Sequence, residues 1–244
     1  LLMMFLSSFG IIENSFILHY REEIGFIKRY CFGYSHPNLV HSTFTTLIFL
    51  FGYLYYKKIN LFTISIIEIL NIILYNLTFS RTGFLILTIY LLFIYITKKS
   101  KFIKKKLPKI LKISFPFLIF LSLFLAVFYS KFDFIKQLDS LVTGRINYMH
   151  ILISNYMIPV IGSNFYNSVV LFDNGYFSMF YEGGILATIW FVYFQLKTNK
   201  FLIENNMNNE IIITIFFLIY CMLESYYISL VMNPTLIFFC YCIF

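Results

Sequence analysis

Charge is what this sequence has least of. Asp, Glu, Lys and Arg make up 12% of 244 residues, hydrophobic residues make up 60%, and mean hydropathy is +0.80. A soluble domain of this length could not cover its surface with so few charged groups, so a water-soluble enzyme or binding module is excluded. Acid is the scarcer sign, with 11 carboxylates against 19 basic residues. No D-x-D pair occurs, the usual device for holding a divalent ion between phosphates. The four cysteines, Cys31, Cys221, Cys240 and Cys242, have no zinc-type spacing with any histidine, so they are expected to be buried or free thiols and no metal site is expected. There is no low-complexity linker, no second soluble domain and no clear internal repeat.

What is present is a series of apolar runs. A membrane span needs about 20 mostly apolar residues, which places spans near 1–18, 39–56, 59–78, 83–97, 111–129, 175–196, 211–230 and 234–244. The opening "LLMMFLSSFGIIENSFIL" has no basic n-region and no small-residue cleavage site, so it reads as a span or partial span and not as a signal peptide. The chain starts at Leu1 and "NPTLIFFCYCIF" stops inside an apolar stretch too short to span, so a fragment of a longer protein is expected. The expected fold class is all-α: a polytopic transmembrane helix bundle, one integral-membrane domain over residues 1–244, with a long extracytoplasmic loop at 130–174 carrying amphipathic helices.

Lysine sets the expected orientation. The run "TKKSKFIKKKLPKILK" holds eight lysines between Lys98 and Lys112, and such clusters stay in the cytoplasm. Alternation then puts Lys57, Lys58, Lys197 and Lys200 inside as well, so the net charge of +8 is a topology signal and no nucleic-acid partner is expected. All four arginines (Arg21, Arg29, Arg81 and Arg145) fall on the outer side, with eight of the 11 acids. Arginine is the side chain for planar, bidentate recognition of phosphate or carboxylate, and its confinement to that side is the first functional clue.

Residues 59–97 are long enough for two spans with almost no loop, and the polar "SRTG" at the midpoint makes the turn. Arg81 is therefore expected at the outer mouth of a helical hairpin, where an anchor for lipid headgroups is the plain alternative. Only Glu68 and Asn71 are polar and deep in a span; at i and i+3 they read as a packing or hydrogen-bond pair. From Phe134 to Leu152 apolar residues recur every three or four positions, with Arg145 in the same repeat. That pattern predicts an amphipathic helix along the outer surface, presenting Arg145. His150 lies five residues beyond Arg145. His36 opens a span beside Pro37 and Asn38, where Asn38 is expected to cap the helix. Gly183 and Gly184 are expected to let the chain bend and pack closely.

The polar motifs occur in a telling order: "GYSHPN" (33–38), "SRTG" (80–83), "TGR" (143–145), "IPVIG" (158–162), then "DNGY" (173–176) and "EGGI" (182–185). Over roughly residues 25–190 this resembles the Wzy-type polysaccharide polymerases, a group that includes O-antigen, capsule and exopolysaccharide polymerases and, more distantly, the O-antigen ligases. The resemblance implies a metal-independent glycosyltransferase of the bacterial cytoplasmic membrane, with no cofactor. It would move a growing glycan from undecaprenyl diphosphate to an incoming lipid-linked repeat unit. Its partners would be undecaprenyl-diphosphate-linked oligosaccharide, membrane lipids and a chain-length regulator. By the same resemblance Arg81 and Arg145 would clamp the departing diphosphate, with Arg29 as a weaker third, and Asp173 would be the base. His36, Asn38, His150, Asn174 and Tyr176 would contact substrate. Where the ligases commonly have a histidine, this chain has the Asp173–Asn174 pair, which favours polymerase over ligase. A ligase, or a non-catalytic transporter of lipid-linked sugars, is the alternative.

Overall fold

The computed structural model describes residues 18–21, 27–32, 34, 36–162, 173–227, 229 and 232–242. The expected first span, except for Leu18, lies outside the described residues, as do Gly33 and Ser35 of "GYSHPN", residues 163–172 and the last two residues. The described chain is mostly helical and falls into two units, 1–99 and 100–244. Among the described residues four helices are long and apolar enough to cross a membrane: Pro37–Lys58, Leu61–Thr78, Arg81–Lys99 and Lys101–Phe128.

The first unit departs from an all-α fold at its start. Strands β1 (Leu18–Arg21) and β2 (Ile27–Tyr30) form an antiparallel hairpin, Leu18 opposite Tyr30 and Arg21 opposite Ile27. Helix α1 (Pro37–Tyr55) starts with Pro at its first position, where the missing N–H costs nothing. Its cap is His36 and not Asn38: His36 Nδ1 accepts from the Asn38 backbone N–H at 3.1 Å. Asn60 caps α2 (Leu61–Thr78), its Oδ1 accepting from Thr63 N at 2.9 Å. The helix stops where Phe79 turns left-handed, φ 50°, and α3 (Arg81–Lys99) follows at once. The hairpin turn is thus at "FS", and Arg81 is the first residue of the next helix.

Polar side chains tie these three helices together. Asn71 (α2), fully buried, accepts from His41 Nε2 (α1) at 2.8 Å and donates to Thr88 Oγ1 (α3) at 3.0 Å. Thr88 in turn donates to Glu68 at 2.6 Å. Each such interhelical bond contributes on the order of 0.6 kcal/mol in a membrane. Gly83 belongs to the same joint. A Cβ there would lie 2.7 Å from His41 Cδ2, so the glycine of "SRTG" lets α3 approach α1.

In the second unit, α4 (Lys101–Phe128) begins ten residues earlier than the apolar run because Ser100 caps it, Oγ accepting from Ile103 N at 3.3 Å. Its buried edge is Leu107, Leu111, Phe115, Leu118, Ser122 and Leu125, a three-and-four spacing. It packs against α9 (Asn208–Leu223), which is buried on all sides from Ile211 to Leu218. Helix α10 (Leu236–Cys240) packs on α8 (Gly184–Glu204), and Tyr227 donates to Gln195 of α8 at 3.2 Å.

Three expected elements are cut shorter. The single amphipathic helix over 134–152 is two helices, α5 (Asp133–Leu141) and α6 (Arg145–Asn155). Between them Thr143 and Gly144 are left-handed, φ 59° and 82°. Asp139 makes the break: its Oδ1 accepts from Ile146 N (2.7 Å) and Asn147 N (3.3 Å), capping α6. The repeat Phe134, Leu138, Leu141 is the exposed face of α5, while Ile135 and Asp139 face inward. The expected span 175–196 is likewise broken into α7 (Gly175–Tyr181) and α8. At Gly184, φ 76°, a Cβ would meet Gly162 N at 2.6 Å. The first N–H groups of α8 donate to the "IPVIG" loop, Ile185 N to Pro159 O (2.9 Å) and Leu186 N to Val160 O (3.2 Å). Finally, the span expected to reach residue 230 stops at Leu223, where Glu224 becomes extended.

Candidate functional site

The ends of α4 and α9, the start of α6 and the start of α7 meet around one hydrophobic cluster. It includes Leu125, Ile135, Ile146, Met149, Phe177 and Tyr181. Over it sits a charged group of three. Arg145, the first residue of α6, is 8% exposed; its Nη2 donates to Glu224 Oε1 at 3.1 Å, and its Nε lies 3.5 Å from Asp173 Oδ2. Glu224 is 4% exposed, whereas over a third of the Asp173 side chain is open. Nη1 of Arg145 is buried with no hydrogen-bond partner. Burial works against charge on Arg145, but the nearby carboxylates of Glu224 and Asp173 outweigh it and hold the guanidinium above its ordinary pKa.

Local sequence explains how these groups arrive. The left-handed Thr143–Gly144 pair turns the chain so that α6 starts at Arg145, held from behind by Asp139. Asn174 fixes the start of α7: Oδ1 accepts from Tyr176 N (3.0 Å) and Phe177 N (3.1 Å). Its Nδ2 donates to Met222 O (2.7 Å) and Ser122 Oγ (3.3 Å). One asparagine thereby ties α7 to the ends of α4 and α9, and sets Asp173 beside Arg145.

Of the residues singled out from sequence, Arg145 and Asp173 come together in this unit. Asn174 is buried with its amide engaged as above, and Tyr176, also buried, donates to Leu218 O at 2.7 Å. Their polar atoms are used inside the protein, where the resemblance implied substrate contacts. His150 donates from Nδ1 to Ala126 O at 2.9 Å and lies against the Tyr129 ring, 5.4 Å between centroids. That contact turns it toward α4, as five residues of helix (about 140° from Arg145) require. Glu224 is the member that sequence reasoning did not pick. Its signal was there: a lone carboxylate at the end of an apolar run must find a partner.

The remaining candidates lie in the first unit. Arg29, 7% exposed, donates from Nε to Thr78 O (2.7 Å) and from Nη2 to Asn38 Oδ1 (2.9 Å), fastening the hairpin to the end of α2 and the start of α1. His36 and Asn38 share this junction, so three expected substrate contacts serve to join elements. Arg81 differs: it is exposed and, among the described residues, makes no hydrogen bond or ion pair. It also stands at the positive end of the α3 dipole, where a cation is disfavoured and an anion favoured. Among the described residues no three His, Cys, Asp or Glu side chains stand close enough to hold a metal ion. No family model matches this chain, and no curated protein or solved structure matches it.

Proposed function

We propose that the chain is an integral-membrane glycosyltransferase of the Wzy-type polymerase class. It would join lipid-linked oligosaccharide repeat units into a surface polysaccharide at the outer face of a bacterial plasma membrane. The observation that carries this reading is the Arg145–Asp173–Glu224 group: a buried guanidinium held by two carboxylates, one of them open to an incoming molecule, with a donor left over. In this reading the acceptor hydroxyl lies against Asp173. Its proton passes to the carboxylate as its oxygen bonds to the anomeric carbon of the donor glycan. The bond from that carbon to the diphosphate oxygen breaks, and undecaprenyl diphosphate leaves with the electron pair.

Each member has a task. Glu224 neutralises Arg145 and fixes the plane of its fork, and Arg145 orients the open carboxylate of Asp173. Arg81, in the first unit, is exposed with no carboxylate against it among the described residues, which leaves its charge available to a phosphate. A chain-length regulator would act as a separate partner. The test is the glycan ladder of cells carrying Asp173→Asn or Asp173→Glu at matched protein level. The asparagine variant should lose about 10²–10⁴ in rate and the glutamate variant less. A full-length ladder from Asp173→Asn would remove the base and with it this reading.

A further inference from the structure

Helix α4 is longer than a span requires. Twenty-eight residues at about 1.5 Å each give roughly 42 Å, against a hydrocarbon core of about 30 Å. The excess is the lysine-bearing start. At about 100° per residue, Lys101, Lys104, Lys105, Lys109 and Lys112 fall in one sector about 140° wide. Next to it, Phe102, Ile110 and Ile113, with Lys106 among them, form a mainly apolar sector that is also open, the three apolar side chains at 66%, 41% and 62% exposure. The third side, Leu107 and Leu111, is fully buried and holds the segment to the unit. None of the five lysines has a carboxylate partner among the described residues, and the sequence has no acid between Ser100 and Phe132.

From this three-sided arrangement we infer that the first twelve residues of α4 form a binding surface for anionic phospholipid headgroups. The lysine ammonium groups take the lipid phosphates, and Phe102, Ile110 and Ile113 enter the acyl boundary beside them. Charge complementarity selects the occupant. A phosphate-rich partner that stays in water, such as a nucleic acid, would match the lysine sector but leave the apolar one uncovered. Lys106 falls within the apolar sector by the same count, and its ammonium lies 4.2 Å over the Phe102 ring, a cation–π contact on that face. The surface does not depend on the glycosyl-transfer reading.

The test is lipid selectivity of the full chain in bilayers, read by electron spin resonance with spin-labelled phosphatidylglycerol and spin-labelled phosphatidylcholine. Each lysine near an anionic surface contributes about 1 kcal/mol, a factor of about five. The wild-type chain should therefore prefer the anionic lipid by at least about fivefold at low salt, with the preference collapsing at 1 M salt. Changing the five lysines to glutamine should bring the ratio close to one, and changing them to arginine should retain it. The arginine set also guards against a glutamine set that inserts wrongly. A wild-type ratio near one would overturn the proposal. So would an equal loss of preference when Lys131, Lys136, Lys197 and Lys200 are changed instead.

Discussion

Replacing Glu224 by leucine should expose how the charged group is held. The change leaves the Arg145 guanidinium buried beside a half-open Asp173 at 3.5 Å and no closer counter-charge from α9. Removing one partner of a buried ion pair costs about 3–5 kcal/mol, because the remaining charge stays desolvated. For a chain of this size about 1 kcal/mol moves the melting temperature by about 2–4 °C, so Glu224→Leu should melt roughly 6–20 °C below wild type. Adding Arg145→Met removes the stranded charge. Asp173, open to water, can then be hydrated, and the double variant should regain most of the loss. The assay is thermal unfolding of the four purified forms in one detergent, read as a double-mutant cycle with an expected coupling of about 2 kcal/mol or more. If the double variant melts lower by the sum of its parts, or Glu224→Leu melts with wild type, the two side chains do not form the buried pair.

Other consequences can be checked separately. Gly83→Val should destabilise the first unit by about 1–3 kcal/mol, since its Cβ alone would press to 2.7 Å of the His41 ring, and a thermal melt would show it. Arg81→Lys should shorten glycan ladders at matched protein level, with a rate loss of about 10²–10³ if the planar fork holds a diphosphate. A lipid anchor would tolerate lysine with a full ladder. In whole cells, an impermeant thiol reagent should label a single cysteine at position 140 and not one at position 104. The reverse pattern would invert the orientation.

The sequence was most readable where one physical rule acted alone. The helices over 37–55, 61–78 and 81–99 follow from long apolar runs, and their ends match the polar breaks within a few residues. Where two rules competed, hydropathy misled. Lysine is a good helix former, so α4 runs back through the basic segment that an apolar window excludes. The break at 142–144 depends on a side chain, Asp139, whose partners are backbone groups seven and eight residues away. Periodicity carries no trace of such a cap. The two-part 175–204 segment depends on the approach of Gly162 to Gly184, residues 22 positions apart. In the site, Arg145 and Asp173 were legible as charges in an apolar chain. Asn174 and Tyr176 were legible as polar but not as internal ties. Glu224 was legible as an acid on the same side, but its pairing with a residue 79 positions earlier was not.

Transfer of glycan from a lipid diphosphate can be measured directly. Membranes containing the protein are given its lipid-linked repeat unit labelled in the sugar, and both products are followed in time. Glycans of two or more repeat units should grow while one undecaprenyl diphosphate is released for each new linkage, and neither product should form with Asp173→Asn. Inserted, folded protein that moves the labelled lipid across the bilayer without lengthening its glycan or releasing undecaprenyl diphosphate would contradict such a transfer.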